Sequence, residues 1–245
     1  MEVIIKILVL SDIHANVSAL QCVLDSVKIY DIKLAVLLGD HIDYGMRPNE
    51  TISLLREFPY PIDVNIYGNH EKAIFDNNLY NFSSERARKF SIYMKNILTN
   101  ESKKYIAEKM NSKGFESKVY DGKRYLMIHG SLDDVFWECI SSENASEKYR
   151  DYDYVFCGHS HLPFYFEKYF VVDNKDMRNK KKTVFINPGS VGQPRNHNPR
   201  ACYCVFDTVS GATHLNNVEY DVMYEQCLYT YEVDEFYSWR LSKGV

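Results

Sequence analysis

The chain has 245 residues, of which 45% are apolar and 25% charged, with 29 Lys and Arg against 33 Asp and Glu. This composition is typical of a globular protein of one large or two small domains. The net charge of −4 argues against broad binding to nucleic acids or acidic membranes. The six cysteines include no C-x-x-C pair and the first apolar run is too short to cross a bilayer, so we expect reduced thiols, no targeting segment and a cytoplasmic location.

Strand and helix patterns alternate over the first third of the chain. Apolar runs predict strands, and apolar residues at helical spacing predict helices, in the order strand 4–11, helix 16–30, strand 34–38, helix 48–58 and strand 62–67. Strands that alternate with helices predict a parallel sheet with right-handed crossovers.

The pattern changes after residue 84. Residues 84–110 are helical and highly charged, and we interpret them as a helical insertion or cap. An Asp121-Gly122 turn predicts a hairpin. The further strands are predicted at 115–120, 125–129, 154–157, 164–172, 183–186, 201–207 and 212–219, with one helix at 234–242 and a solvated basic tip at 175–182. Because no linker or repeat interrupts the chain, we predict one domain, residues 1–245, of two packed sheets with flanking helices.

The first strand ends on two polar side chains, Asp12 and His14. Residues two apart on an extended backbone point the same way, so the two can converge at the carboxyl end of the strand, where open α/β sheets place their sites. An oxygen and a nitrogen ligand suit a first-row divalent metal. A single D-x-H is more often an ordinary strand-to-loop junction, so the assignment depends on the other strands.

Four further strands end in similar residues. The polar residues at or just beyond these strand ends are Asp40, His41, Asp43, Asn69, His70, His129, His159 and His161. Six of the eight histidines therefore lie at strand ends, and we assign the other two, His197 and His214, to the surface. Five strands therefore end in ligand-type residues. A shared metal centre explains this pattern better than five unrelated strand-to-loop junctions do.

Six motifs together resemble the calcineurin-like metallophosphoesterase superfamily, in particular its small bacterial and archaeal phosphodiesterases. They are D-x-H at 12–14, G-D-x-x-D-Y-G at 39–45, G-N-H-E at 68–71, H-G-S at 129–131, G-H-S-H at 158–161 and N-P-G-S-V-G-Q-P-R at 187–195. The resemblance covers nearly the whole chain. It implies an α/β fold, a four-layer α/β/β/α sandwich of two mixed β-sheets flanked by helices, with a site for two metal ions.

The resemblance also implies the metal ligands. One ion would take Asp12, His14 and His161, the other Asn69, His129 and His159, with Asp40 bridging. A bridging carboxylate holds two cations about 3.5–4 Å apart, so that both can grip one phosphoryl group and share an activated water. Nitrogen and oxygen ligands without thiolate favour Mn, Fe, Zn or Co, of which we expect Mn or Fe.

By the same resemblance His70 is the general acid and Asp43 holds its imidazole. The candidate substrate contacts are Asn69, Arg195 and His41. For Arg195 the alternative is a loop salt bridge, and for His41 the alternatives are a third metal, a supporting position behind the ligands or a solvent-facing position. Among the aromatic residues near the motif loops, base stacking and core packing both stay open for Trp137, Phe164 and Tyr165.

The phosphoprotein phosphatase branch of this superfamily has arginine where this chain has Tyr44 and Tyr67, so a dianionic monoester would lose its clamp. The resemblance therefore favours a hydrolase of phosphodiester or phosphoanhydride bonds in small phosphorylated substrates, with cyclic nucleotides or dinucleoside polyphosphates as the expected class. The alternatives are a phosphomonoester or phosphoprotein phosphatase, and a non-catalytic binding scaffold like the retromer scaffold subunit, in which the acid histidine is missing. The oligomeric state is left open.

Overall fold

The computed structural model describes residues 5–245, so the start of the first predicted strand, residue 4, lies outside the described residues. In chain order the strands and α-helices are β1 (Lys6–Leu10), α1 (Val17–Ser26), β2 (Ile32–Leu37), α2 (Pro48–Arg56), β3 (Ile62–Asn65), α3 (Asn69–Phe75), α4 (Glu85–Ile97), α5 (Asn100–Lys109), β4 (Phe115–Tyr120), β5 (Lys123–Ile128), β6 (Tyr154–Cys157), β7 (Phe164–Tyr169), β8 (Lys182–Asn187), β9 (Ala201–Asp207), β10 (Thr213–Val218), α6 (Val222–Cys227) and α7 (Phe236–Lys243).

These strands form two mixed sheets of five strands each. The first sheet has the order β10-β9-β1-β2-β3, and the second has the order β4-β5-β6-β8-β7. In the first sheet β1, β2 and β3 run parallel, and in the second β5, β6 and β8 run parallel. The remaining strands pair antiparallel at the edges.

Strand β1 shows how the two sheets pack. Successive side chains of a strand point to opposite faces, and here Ile7 and Val9 enter the core between the sheets while Leu8 and Leu10 pack under the helices. Since both faces are buried, the strand reads as a continuous apolar run rather than an alternating one. A third apolar cluster, on the outer face of the second sheet, contains Leu126, Ile128 and Phe185.

The predicted fold is confirmed: two mixed sheets are flanked by helices. The outer face of the second sheet is covered by the connection between β5 and β6, whose only regular element is a 3-10 helix, Glu147–Tyr149. Strand β7 ends at Tyr169, before the predicted residue 172, and α6 has no counterpart among the predicted elements. The basic segment 175–182 connects the antiparallel strands β7 and β8 and is mostly exposed, as predicted.

Two further observations concern the whole described chain. All six cysteines are free thiols. Within residues 5–245 we find no helix that is both long enough and apolar enough to cross a lipid bilayer.

Candidate metal centre

The loops at the carboxyl ends of β1, β2, β5 and β6 and the first turn of α3 meet at one edge of the two sheets. They bring together all seven predicted metal ligands, which we call the ligand cluster: Asp12, His14, Asp40, Asn69, His129, His159 and His161. The first sheet and its helix supply four of them, and the second sheet supplies the last three histidines. The cluster therefore depends on how the two sheets pack.

Asp12 and His14 do converge, but not through the extended backbone that the sequence predicted. Strand β1 ends at Leu10, and Asp12 and His14 have φ angles of 53° and 46°. The turn is held by the neighbouring loop, because the Asp12 amide donates to the Gly39 carbonyl at 3.0 Å and the His14 amide to the Asp40 carbonyl at 2.9 Å. A compact left-handed turn, rather than strand alternation, aims the two side chains.

Backbone of this kind is concentrated in the site. Outside glycine, a positive φ is uncommon and costs on the order of 1–3 kcal/mol, and it tends to occur where function requires it. The ligands and their neighbours with positive φ are Asp12, His14, Ala15, Asp40, Asp43, Tyr44, His159 and His161, eight of the twelve such residues in the described chain. The loops are thus held in a conformation that the surrounding structure imposes.

One half of the cluster joins Asp12, His14 and His161. The His161 Nε2 atom lies 3.4 Å from Asp12 Oδ1 and 3.2 Å from His14 Nε2, and His14 Nε2 lies 4.0 Å from the same Asp12 oxygen. These three atoms form a compact group with one oxygen and two nitrogens.

The other half joins Asp40, Asn69, His129 and His159. The His129 Nε2 atom lies 3.3 Å from Asp40 Oδ2 and 3.0 Å from Asn69 Oδ1, and His159 Nδ1 lies 2.9 Å from that Asn69 oxygen. Asp40 Oδ2 is also 3.9 Å from His14 Nε2. Asp40 therefore lies between the two halves.

Each of the four histidines in the cluster turns one ring nitrogen inward and has the other held by a backbone carbonyl. His14 Nδ1 contacts the Ile42 oxygen at 3.2 Å, His129 Nδ1 that of Leu38 at 2.7 Å, His159 Nε2 that of Trp137 at 3.2 Å and His161 Nδ1 that of Gln193 at 2.6 Å. Metal-binding histidines are usually oriented in this way, because a carbonyl fixes the tautomer that leaves the inner nitrogen free.

The donor set fits a pair of cations. Asp12 Oδ1 and Asp40 Oδ2, the two oxygens that face the histidines, are buried and have no hydrogen-bond partner. Uncompensated buried carboxylate oxygens are costly, and a bound cation removes that cost. Burial, reinforced by Asp40 and opposed by His129, raises the pKa of Asp12 to about 7, so a second negative charge beside Asp40 is disfavoured.

The histidines fit the same interpretation. Burial, together with nearby cationic groups, holds the pKa of His14 and His161 well below the usual value and lowers the pKa of His159 to about 3. These rings are neutral at physiological pH, as ligands must be. Burial lowers the pKa of His129, but the Asp40 carboxylate outweighs it and raises that pKa to about 9. A cation held by Asp40 and His129 would take the place of this proton.

A buried glutamate that the sequence did not single out as a site residue shapes the loop of Asp40. The Glu71 carboxylate accepts hydrogen bonds from the amides of Asp40 at 2.9 Å, His41 at 2.7 Å, Ile42 at 3.2 Å and Gly68 at 2.9 Å. Only glycine fits at position 68, because a Cβ atom there would lie 2.0 Å from Asp40 Oδ1. Gly68 and Glu71 are the first and last residues of the G-N-H-E motif, so the sequence did contain a signal for this arrangement.

His70 lies beside the cluster but is held differently. Its Nδ1 contacts Asp43 Oδ2 at 2.6 Å, and its Nε2 lies 4.0 Å from Asp40 Oδ2. The Ser91 hydroxyl, on α4, donates to the same Asp43 oxygen. Burial lowers the pKa of His70, but the carboxylates of Asp40 and Asp43 outweigh it and raise the pKa above its ordinary value. Outside the ligand cluster, His70 is therefore the histidine of the site whose partners favour a protonated ring.

The site opens into a cavity of about 590 Å³. Its walls include parts of the cluster, the first turn of α4, and α7. Among the residues that the sequence singled out, Asn69, His70, Tyr44, Trp137 and Arg195 line it. Two arginines that the sequence did not single out, Arg86 and Arg240, also line it.

Other predicted contacts lie elsewhere. His41 is fully buried, and its Nε2 contacts Asn65 Oδ1 at 2.8 Å, so it faces neither solvent nor the cavity. The assignment of His41 to the substrate is wrong for this reason, and its position is a supporting one. Tyr67 is buried against Phe75, and neither Phe164 nor Tyr165 lines the cavity. His197 and His214 are exposed, as predicted.

Comparison with known proteins identifies the family and confirms the fold. The sequence profile of the calcineurin-like phosphoesterase superfamily domain matches residues 5–211. Protein MJ0912 of Methanocaldococcus jannaschii is 30% identical over 220 residues, which are 88% of each chain. A crystal structure of a metallophosphoesterase from Sphaerobacter thermophilus is similar with a TM-score of 0.77 and 27% identity, covering 99% of this chain and 100% of that one. Protein PH1004 of Pyrococcus horikoshii OT3, at 17% identity, shares the fold with a TM-score of 0.79, covering 98% and 99%.

Proposed function

Because the chain belongs to the calcineurin-like phosphoesterase superfamily, we propose that it is a dinuclear metal-dependent hydrolase of phosphodiester or phosphoanhydride bonds in small nucleotides. The observation that carries the proposal is the position of the His70–Asp43 pair beside a complete ligand cluster at one cavity. Asp12, His14 and His161 would hold one ion, and Asn69, His129 and His159 the other, with Asp40 between them. When bound, such ions, Mn or Fe by preference, polarise a phosphoryl group as Lewis acids.

His70 would supply the proton that the leaving oxygen needs. Its Nδ1–H donates to Asp43, so Nε2 is the nitrogen that faces the cluster and the cavity. The paired carboxylate stabilises the imidazolium form, which can protonate a leaving alkoxide or phosphate oxygen. Asp43 in turn is fixed by Ser91, so that the pair stays in one orientation.

The preference for diesters and anhydrides is supported by Tyr44. Its ring lies 4.9 Å from the ring of His14 and 4.4 Å from that of His70, directly beside the cluster. Burial above all raises the pKa of the Tyr44 phenol well beyond its ordinary value, so the residue is neutral. A neutral phenol can donate one hydrogen bond but cannot offset the second charge of a monoester.

A nucleotide is supported by the size and the aromatic lining of the cavity. A volume of about 590 Å³ falls in the usual range for small-molecule sites. Phe82 and Trp137 meet edge to face on its wall, with ring centroids 5.2 Å apart, and offer a surface against which a base can stack. We place the activity in the cytoplasm, which the six free thiols support.

A phosphomonoester phosphatase is the second candidate, because Arg195 and Arg240 line the cavity and a guanidinium can clamp a dianion. The geometry of His70, Asp43 and the cluster argues against a non-catalytic scaffold, for which none of these buried polar contacts would be needed.

The test compares two substrates with one leaving group. We expect the Mn-loaded protein to hydrolyse bis(4-nitrophenyl) phosphate with a higher kcat/KM than 4-nitrophenyl phosphate, and to lose both activities to a chelator. The reverse ranking would favour the phosphatase. Absence of turnover on these substrates and on a panel of cyclic nucleotides and dinucleoside polyphosphates would favour the scaffold.

A further inference from the structure

Arginine side chains from three separate segments line the cavity beside the ligand cluster. Arg86 belongs to the first turn of α4, Arg195 to the loop that follows β8, and Arg240 to α7. Two of the three guanidinium groups therefore come from peripheral helices, and the third, that of Arg195, comes from a strand-end loop. What each guanidinium already contacts decides which of them is available to a ligand.

Arg240 is nine-tenths buried, with 9% of its surface exposed. Its Nε atom donates to the main-chain oxygen of Val245, and its guanidinium lies 5.0 Å from the ring centroid of Phe236. Within residues 5–245 no Asp or Glu side chain lies within 4.0 Å of it, and its two terminal nitrogens make no hydrogen bond. Burial and the nearby Arg195 lower the pKa of Arg240 to about 10, so it is a cation at neutral pH. The two terminal nitrogens are therefore available to hydrogen-bond an anion in the cavity.

Arg195 is only partly buried, but its donors are also largely free. Its Nε atom is buried without a partner, and its Nη2 makes only a long contact of 3.4 Å with Gln193 Oε1. The alternative predicted for it, a loop salt bridge, does not form with any Asp or Glu of the described chain. Arg195 and Arg240 line the same cavity, and the charge of Arg195 contributes to the lowered pKa of Arg240.

Arg86 is different, since it already has partners. Its Nη1 lies 3.6 Å from Asp234 Oδ1, and its guanidinium lies 4.0 Å from the ring centroid of Phe236. It is exposed. We therefore leave Arg86 at the rim of the cavity.

We infer that Arg195 and Arg240 form an anion subsite that binds a second phosphate group of the substrate, next to the phosphate held at the ligand cluster. This inference rests on the proposed function. The cavity wall carries the neutral phenol of Tyr44, in ring contact with His14 and His70, and two further cations that come from the loop after β8 and from α7. That distribution suits a scissile phosphate of low charge joined to a further phosphate. Each guanidinium can bind phosphate oxygens in bidentate fashion. The substrate class is therefore a nucleotide with a phosphoanhydride chain, rather than a cyclic mononucleotide.

The test measures binding of two inorganic probes, triphosphate and phosphate, by calorimetry on the Mn-loaded protein at one fixed free metal concentration. We expect triphosphate to bind the wild type at least about tenfold more tightly than phosphate does. Arg240→Gln and Arg195→Gln should each lose about 10- to 100-fold in triphosphate affinity, the usual effect of removing a charge-assisted hydrogen bond, and lose less in phosphate affinity. The control is Arg56→Gln, which removes one positive charge from an exposed arginine on α2 that pairs with Glu101 at 3.6 Å. It should bind both probes like the wild type.

Equal affinity of the wild type for both probes would overturn the subsite, and so would an equal loss in Arg56→Gln, which would indicate only general attraction. If Arg240→Gln does not fold, as judged by its circular dichroism, Arg195→Gln decides alone, because it lies on a loop and removes only one weak contact. Since the measurement needs no turnover, failure of the proposed function is recognised separately, as absence of hydrolysis of any phosphoester by the wild type.

Discussion

The ligand cluster and the arginine side of the cavity are built in different ways. All seven ligands come from strand-end loops or the first turn of α3, and their orientation is fixed by backbone carbonyls and by strained turns. Arg86, Arg240 and Ser91 come from the peripheral helices α4 and α7, which reach the site by packing. The sheets thus determine the chemistry of the centre, and the peripheral helices determine the shape and charge that a substrate meets.

The histidines of the site also fall into two groups, according to the group that contacts the outer ring nitrogen. Four of them have their outer nitrogen on a backbone carbonyl, which orients the inner nitrogen toward the cluster. In three of these four, burial lowers the pKa so that the ring is neutral, whereas Asp40 raises the pKa of His129. His70 has its outer nitrogen on the Asp43 carboxylate, which favours the protonated ring. The hydrogen-bond partner of the outer ring nitrogen therefore distinguishes the histidines that are candidate metal ligands from the histidine that is the candidate acid.

The largest effect should follow from removing the residue between the two halves of the cluster. Asp40→Ala takes one oxygen from both metal positions, whereas His14→Ala takes a nitrogen from one. Lewis-acid stabilisation amounts to several kcal/mol, so we expect Asp40→Ala to lose roughly 10³-fold or more in kcat, and to retain less metal than His14→Ala. Metal analysis of both purified variants checks this, and wild-type occupancy in Asp40→Ala would remove its bridging role.

Replacing His70 sharpens the distinction between ligand and acid. His70→Ala should lose about 10²–10⁴ in kcat on a nucleotide with an alkoxide leaving group, the usual contribution of a general acid. The loss should be much smaller with a nitrophenolate leaving group, which departs without a proton, and the metal content should equal that of the wild type. Equal losses on both substrates would mean that His70 binds the phosphate instead.

A smaller effect tests whether α4 takes part in the chemistry through Ser91. Ser91→Ala removes one hydrogen bond to the charged Asp43, and we expect kcat to fall about tenfold on the alkoxide substrate with metal content unchanged. Ser102→Ala is the matched control, because Ser102 is equally buried on α5 but hydrogen-bonds with Thr99. Similar rates in the two variants would show that Ser91 serves packing alone.

The cluster and the position of Arg195 at the cavity were predictable from the sequence, whereas the contributions of Arg86 and Arg240 were not. Parallel strands of one sheet end at the same edge, so ligand-type residues such as Asp12 and Asp40 that follow apolar runs converge there. His129 follows a strand of the second sheet and joins them through the packing of the two sheets. The sequence-based predictions were wrong where the backbone departs from strand geometry. The turn at Asp12 is left-handed rather than extended, and His41, next to the ligand Asp40, is turned away onto Asn65.

Arg240 gave no comparable signal. It lies 200 residues after Asp40 in a short amphipathic helix, and it reaches the cavity through the packing of that helix, whose Tyr237 ring lies 4.9 Å from that of Tyr44 and 4.7 Å from that of Phe90. A pattern of apolar residues predicts that α7 is a helix, but not which neighbour it packs against. The same holds for Ser91, whose role depends on Asp43, 48 residues earlier in the chain.

The most direct test of the central claim is a metal titration. Chelator-treated protein should be titrated with Mn²⁺ while bound metal and hydrolysis of bis(4-nitrophenyl) phosphate are measured on the same samples. We predict that binding saturates at about two ions per chain and that activity, absent at the start, reaches its plateau at that point. Full activity in the metal-free protein, or no uptake of metal by folded protein, would contradict the assignment of a dinuclear centre.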